Sequence, residues 1–166
     1  MHADTYIIAS VDNKELVNID SFEQDKVGAI SVNYISKGMN DFYVELDVKK
    51  LARDKPSNQG KIFIQPNQGW LAGFNSGQLF IITFPWQTHD KIHPEHGQIE
   101  LYIDYQSKNI SESLIEMELH GPYQQIQPEQ QISLTATWYL FPYNEHWHKK
   151  QMLNFLQEKL NEITSI

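Results

Sequence analysis

The chain has 166 residues and a formal charge of −8, from 13 Lys and Arg against 21 Asp and Glu. That balance argues against a general nucleic-acid binder, which needs a basic footprint. The absence of cysteine excludes disulfides, thiol catalysis and Cys-based zinc sites.

A chain of this length fits one domain, residues 1–166, that buries roughly 70% of its unfolded surface. The first residues, MHADTYIIASVDNKE, lack the basic start and apolar core of a signal peptide, and no apolar run approaches a membrane span. A cytoplasmic protein is the expectation.

Most of the chain alternates with period two, the signature of half-buried strands. Strand patterns cover Thr5–Val11 and Val27–Ile35, then Phe42, Val44, Leu46 and Val48 against Tyr43, Glu45 and Asp47. Arg53–Gly60, RDKPSNQG, has the composition of a loop. Lys61–Gln65, Gly69–Asn75 and Leu79–Pro85 read as short strands, with a hairpin turn at Asn75-Ser76-Gly77.

Thr88–Gly97, THDKIHPEHG, reads as a loop because Pro94 interrupts it. Its His89, His93 and His96, with Asp90 and Glu95, suit a divalent metal chemically, but no HExxH pattern is present. The simpler reading is a set of surface histidines, with no metal and no cofactor.

Ile99, Leu101, Ile103 and Tyr105 alternate with Glu100, Tyr102 and Asp104 as a further strand. The richest stretch follows, Ser113–Leu140. In its first strand Leu114, Glu116, Glu118 and His120 point one way, and Ile115, Met117 and Leu119 the other. Carboxylates two apart on one strand face lie roughly 6–7 Å apart and repel by about 2.5 kcal/mol at an effective dielectric near 20. If partly buried, such a pair raises the pKa of one member, which suits acid–base work near neutral pH. On a solvated face the pair does nothing.

Ile132, Leu134, Ala136, Trp138 and Leu140 form the apolar row of a last strand, which places Trp138 in the core. From Glu145 the period changes. Met152, Leu153, Leu156, Leu160 and Ile163 fall on one helical stripe, predicting a helix over 145–163 with Asn144 as its N-cap. About nine short strands and one terminal helix predict a mainly β fold, an antiparallel β-sandwich with a C-terminal α-helix. No repeat or low-complexity segment interrupts it.

Three stretches within 61–142 carry a family pattern: KIFIQPNQGWLAGFNSGQLFIITFPW, HPEHGQIELYIDY and IEMELHGPYQQIQPEQQISLTATWYL. They resemble the C-terminal half of the galactose-mutarotase-like proteins, whose large β-supersandwich includes aldose 1-epimerases, and most nearly an uncharacterised mutarotase-like domain family. The resemblance covers about half the chain, and Pro128-Glu129-Gln130 departs from its Pro-Gly-Glu turn.

The resemblance implies a sugar or sugar-derivative ligand and, if active, an aldose 1-epimerase-like isomerase. It implies Glu118 as general base, with Glu116 second. The histidine acid of those enzymes has no counterpart in residues 1–60, whose only histidine is His2. A binding scaffold is therefore implied more directly than an enzyme. Substrate-contact candidates are His120, His93, His96, Tyr102 and, as an aromatic platform at a strand end, Trp86.

Two other readings compete. One is a non-enzymatic interaction or accessory domain, monomeric or homodimeric, in which exposed Leu153, Leu156 and Leu160 would signal a partner. The other is a metal-dependent hydrolase built on the histidine loop.

Overall fold

Among the described residues, ten antiparallel strands form two sheets. The computed structural model describes residues 5–11, 17–20, 33–36, 42–47, 57–106, 109–145 and 148–165. The strands are β1 (Tyr6–Val11), β2 (Val17–Asp20), β3 (Asn33–Ser36), β4 (Phe42–Asp47), β5 (Ser57–Ile64), β6 (Trp70–Asn75), β7 (Gln78–Thr83), β8 (Ile99–Gln106), β9 (Leu114–Leu119) and β10 (Thr137–Pro142), followed by α1 (Lys149–Thr164). The first sheet runs β10-β7-β6-β1-β4-β3 and the second β2-β5-β8-β9.

Alternation decides which way each strand faces. Ile7, Ala9, Leu71 and Ile82 of the first sheet meet Ile62, Ile64, Ile99, Leu101 and Ile103 of the second in one buried layer. Ile8, Ala72, Phe74 and Ile81 point the other way and meet Met152, Leu156 and Leu160 of α1. The helical stripe thus packs on the chain's own sheet, which removes α1 as an exposed partner surface. With α1 on the first sheet, the outer face of the second carries the polar residues of β5, β8 and β9. No described helix is long and apolar enough to cross a membrane, a statement about helices only.

The β6–β7 hairpin closes on Ser76 (φ 51°) and Gly77 (φ 76°), the two left-handed residues of a type I′ turn that matches strand twist. Trp70 is buried against the helix layer, as a packing residue.

Several expectations are corrected. Ser57–Gly60 is the first half of β5 rather than loop, because it pairs with Ile103–Gln106 of β8, and that pairing outweighs turn-type composition. Val17–Asp20 forms a strand against Lys61–Ile64 that alternation alone did not single out. The last strand begins at Thr137, not Ile132. Its partner β7 ends at Thr83, two residues before Pro85, which has no N–H for a ladder.

Trp138 is not core: it is 71% exposed and Leu140 60%. Both lie on the inward side of β10, where Trp138 pairs with Ile82. Among the described residues the second sheet ends at β9, and Trp138 rests edge-on against Phe80 at 5.5 Å.

The helix starts at Lys149 with His148 at the N-cap, not Asn144. Tyr143 is buried, and its N–H donates to the Gly77 carbonyl at 2.7 Å, which keeps the chain extended past β10. Residues 27–32, Val48, residues 53–56, His2, His146 and Trp147 lie outside the described residues.

Candidate functional site

The outer face of the second sheet is built by register. Lys61 of β5 stands opposite Tyr102 of β8, and Phe63 opposite Glu100. On the other side of β8, Glu100 stands opposite Glu118 of β9 and Tyr102 opposite Glu116. Cross-strand neighbours have Cβ atoms about 4.5–5.5 Å apart. Three strands therefore bring Lys61, Glu100, Tyr102, Glu116 and Glu118 into one patch.

Glu100 is its centre. The side chain is 3% exposed, yet it lies on the polar side of β8. One oxygen, Oε1, accepts from Lys61 Nζ. The other, Oε2, lies 2.8 Å from His120 Nε2. Burial pushes the Glu100 carboxyl upward, but the hydrogen bonds from Lys61 and His120 outweigh it and hold the group below its ordinary value. The Glu100 bond in turn pushes Lys61 upward, opposed by burial, with Glu118 and Glu116 adding to the rise.

The rim comes from two turns. At Gly97 an added Cβ would lie 2.3 Å from the Ile64 carbonyl oxygen, so only glycine lets the loop close onto the end of β5. That approach seats the His96 ring parallel on Phe63, 5.0 Å between centroids. His96 also stands 4.9 Å from the His120 ring and 4.7 Å from His93, which meets Tyr123 edge-on at 4.6 Å. Burial, and then the neighbouring His120 and His93, push His96 below its ordinary value.

Gln98, fully buried, locks this rim. Its side chain accepts from Gln87 N–H (2.9 Å) and donates to the Pro85 carbonyl (2.8 Å). Its own carbonyl accepts the His120 N–H at 2.8 Å, which fixes where β9 delivers His120.

Six of the seven expected site residues thus share one face: Glu118, Glu116, His120, His96, His93 and Tyr102. Ile115, Met117 and Leu119 face the inter-sheet core, as the alternation predicts. Two details differ. The desolvated carboxylate is Glu100, not a member of the Glu116/Glu118 pair, of which Glu116 is exposed and Glu118 half-buried. His120 pairs with Glu100 rather than Glu118.

Trp86 stands apart. It is 46% exposed on the loop after β7, its indole N–H donating to the Pro66 carbonyl at 2.7 Å. Glu100 and Lys61 are the residues sequence reasoning passed over. No local signal singles them out: Glu100 alternates as a surface residue between Ile99 and Leu101, and Lys61 merely precedes the apolar run Ile62–Ile64.

A separate cavity of about 240 Å³ lies between the sheets, lined by Ile7, Gly73, Phe80, Leu114 and Met117. Its polar lining is Thr5, Asn75 and Ser113, and none of Lys61, Glu100, His96, Glu116, Glu118 or His120 lines it.

A protein-family model described as a domain of unknown function, DUF4380, matches residues 1–141. The chain belongs to that family. No curated protein and no solved structure matches it.

Proposed function

We propose that this member of the DUF4380 family binds a sugar or sugar derivative on the outer face of its second sheet and has aldose 1-epimerase-like chemistry there. One observation carries the reading: the Lys61–Glu100–His120 chain, with Glu118 directly across from Glu100. A buried carboxylate hydrogen-bonded to one nitrogen of an imidazole fixes the ring's orientation and leaves the other nitrogen for proton transfer. That supplies the histidine acid the sequence of residues 1–60 does not contain.

In this reading Glu118 takes the proton of the anomeric hydroxyl and His120 protonates the ring oxygen. The C1–O5 bond breaks, the open aldehyde rotates, and closure returns both protons. Tyr102, with His93 and Tyr123 at the rim, offers aromatic surface for the apolar face of a pyranose. Each proton-transfer group contributes on the order of 10²–10⁴-fold.

Polarimetry of freshly dissolved α-anomers tests the enzyme. Acceleration over buffer that is lost in Glu118→Gln and His120→Ala supports it. No acceleration with any common hexose rules out the epimerase, and a flat glycan-binding screen then rules out the sugar site.

A second reading, a non-enzymatic interaction domain, is favoured by β10. Among the described residues this strand has one neighbour, β7, and exposes Trp138 and Leu140. The occupant proposed is a second copy, because antiparallel pairing of one edge strand with itself is self-complementary. Sedimentation of the wild type and of Trp138→Asp tests this. A monomer at all concentrations discards it.

A further inference from the structure

We propose that His96, Glu100 and His120 form a binding site for one first-row divalent ion of the zinc class. The inference stands apart from the sugar reading, since either can fail while the other holds. Its basis is convergence. The three residues come from the loop before β8, from β8 and from the end of β9, and one potential ligand atom of each lies within 4.8 Å of the others. Two imidazoles and one carboxylate suit zinc, iron, cobalt or nickel, and disfavour calcium and magnesium, which take oxygen ligands.

The spacing fits an ion in the place of a proton. Ligands about 2.0–2.2 Å from a tetrahedral metal sit roughly 3.3–3.6 Å from each other. His120 Nε2 and Glu100 Oε2 are already 2.8 Å apart, joined by the hydrogen bond the ion would replace. His96 needs a shift of about 1–2 Å to reach the same spacing.

The surroundings fit too. Metal-bound carboxylates and imidazoles are held by an outer set of hydrogen bonds and packing. Here Lys61 holds the other oxygen of Glu100, Phe63 underlies the His96 ring, and the Gln98 carbonyl holds the His120 backbone. Glu118 stands directly across from Glu100 on the neighbouring strand.

The test uses the full chain, stripped with EDTA and titrated with Co²⁺. The expected result is a visible-absorption band that saturates at one equivalent and is displaced by Zn²⁺. His96→Gln and His120→Gln should each weaken binding at least about tenfold. His89→Gln, in the same loop but outside the cluster, should bind as the wild type does. X-ray absorption of the Zn²⁺-loaded wild type needs no variant and should show two imidazoles per ion. No saturable band, binding unchanged in both variants, or a coordination shell without two imidazoles overturns the proposal. Repeating the sugar assays with and without EDTA separates its failure from that of the sugar site.

Discussion

Replacing Glu100 by Gln keeps the shape of the patch and removes its central charge. The carboxylate is 3% exposed and accepts from both Lys61 and His120, whose side chains are 30% and 29% exposed. Hydrogen bonds to a charged group contribute about 1.5–3 kcal/mol each. Both partners retain some water, and Gln still offers one acceptor, so the expected loss is about 2 kcal/mol rather than the full sum. A double-mutant cycle with Lys61→Met should return a coupling of about 1 kcal/mol, because the two residues touch.

The pH dependence has a definite sign. The folded Glu100 carboxyl lies below its ordinary value of 4.5. Its stabilisation is therefore complete above the unfolded value and is lost as pH falls through the folded one. The stability gap between wild type and Glu100→Gln should be full at pH 7 and close below about pH 4.5. Lys61 from β5, His96 from the loop, Glu118 from β9 and His120 just past its end face the same group, so all four must be intact in the comparison. The assay is urea unfolding followed by far-ultraviolet circular dichroism at several pH values, in EDTA to exclude bound ions. Equal stability at pH 7 within about 0.5 kcal/mol, or a gap that widens on acidification, refutes the reasoning.

Three further outcomes follow from the packing. Gly97→Ala forces a Cβ to within 2.3 Å of the Ile64 carbonyl oxygen, so it should cost about 1–3 kcal/mol and lift His96 off Phe63, visible as a loss of ring-current shift in the His96 imidazole resonances. Glu129 has φ 70° in a turn closed by Gln130 N–H on the Gln127 carbonyl, so Glu129→Gly should raise stability by about 0.5–1 kcal/mol, read as a Tm increase of roughly 1–4 °C. Leu156→Ala, at 1% exposure under α1, should cost about 2–5 kcal/mol in urea unfolding, whereas Trp138→Ala, at 71% exposure, should change stability by no more than about 1 kcal/mol.

What the linear chain decides is the direction of each side chain within its own strand. Alternation in β9 separates Glu116 and Glu118 from Ile115 and Met117, and the helical stripe names Met152, Leu156 and Leu160 as the buried residues of α1. The Asn75-Ser76-Gly77 turn is equally local, because left-handed backbone is written in the residues that adopt it.

What tertiary structure alone decides is which strand stands beside which, and how far each sheet extends. Trp138 has the alternation of a core residue and is exposed, because coverage depends on how far the second sheet reaches, and among the described residues it ends at β9. Glu100 has the alternation of a surface residue and is buried, because Lys61, His120 and His96 arrive over it from three other parts of the chain. Periodicity encodes a side chain's direction, whereas burial and pairing are set by neighbours distant in sequence. Glu116 and Glu118 could therefore be read from the chain, and the Lys61–Glu100–His120 centre of the patch only from the fold.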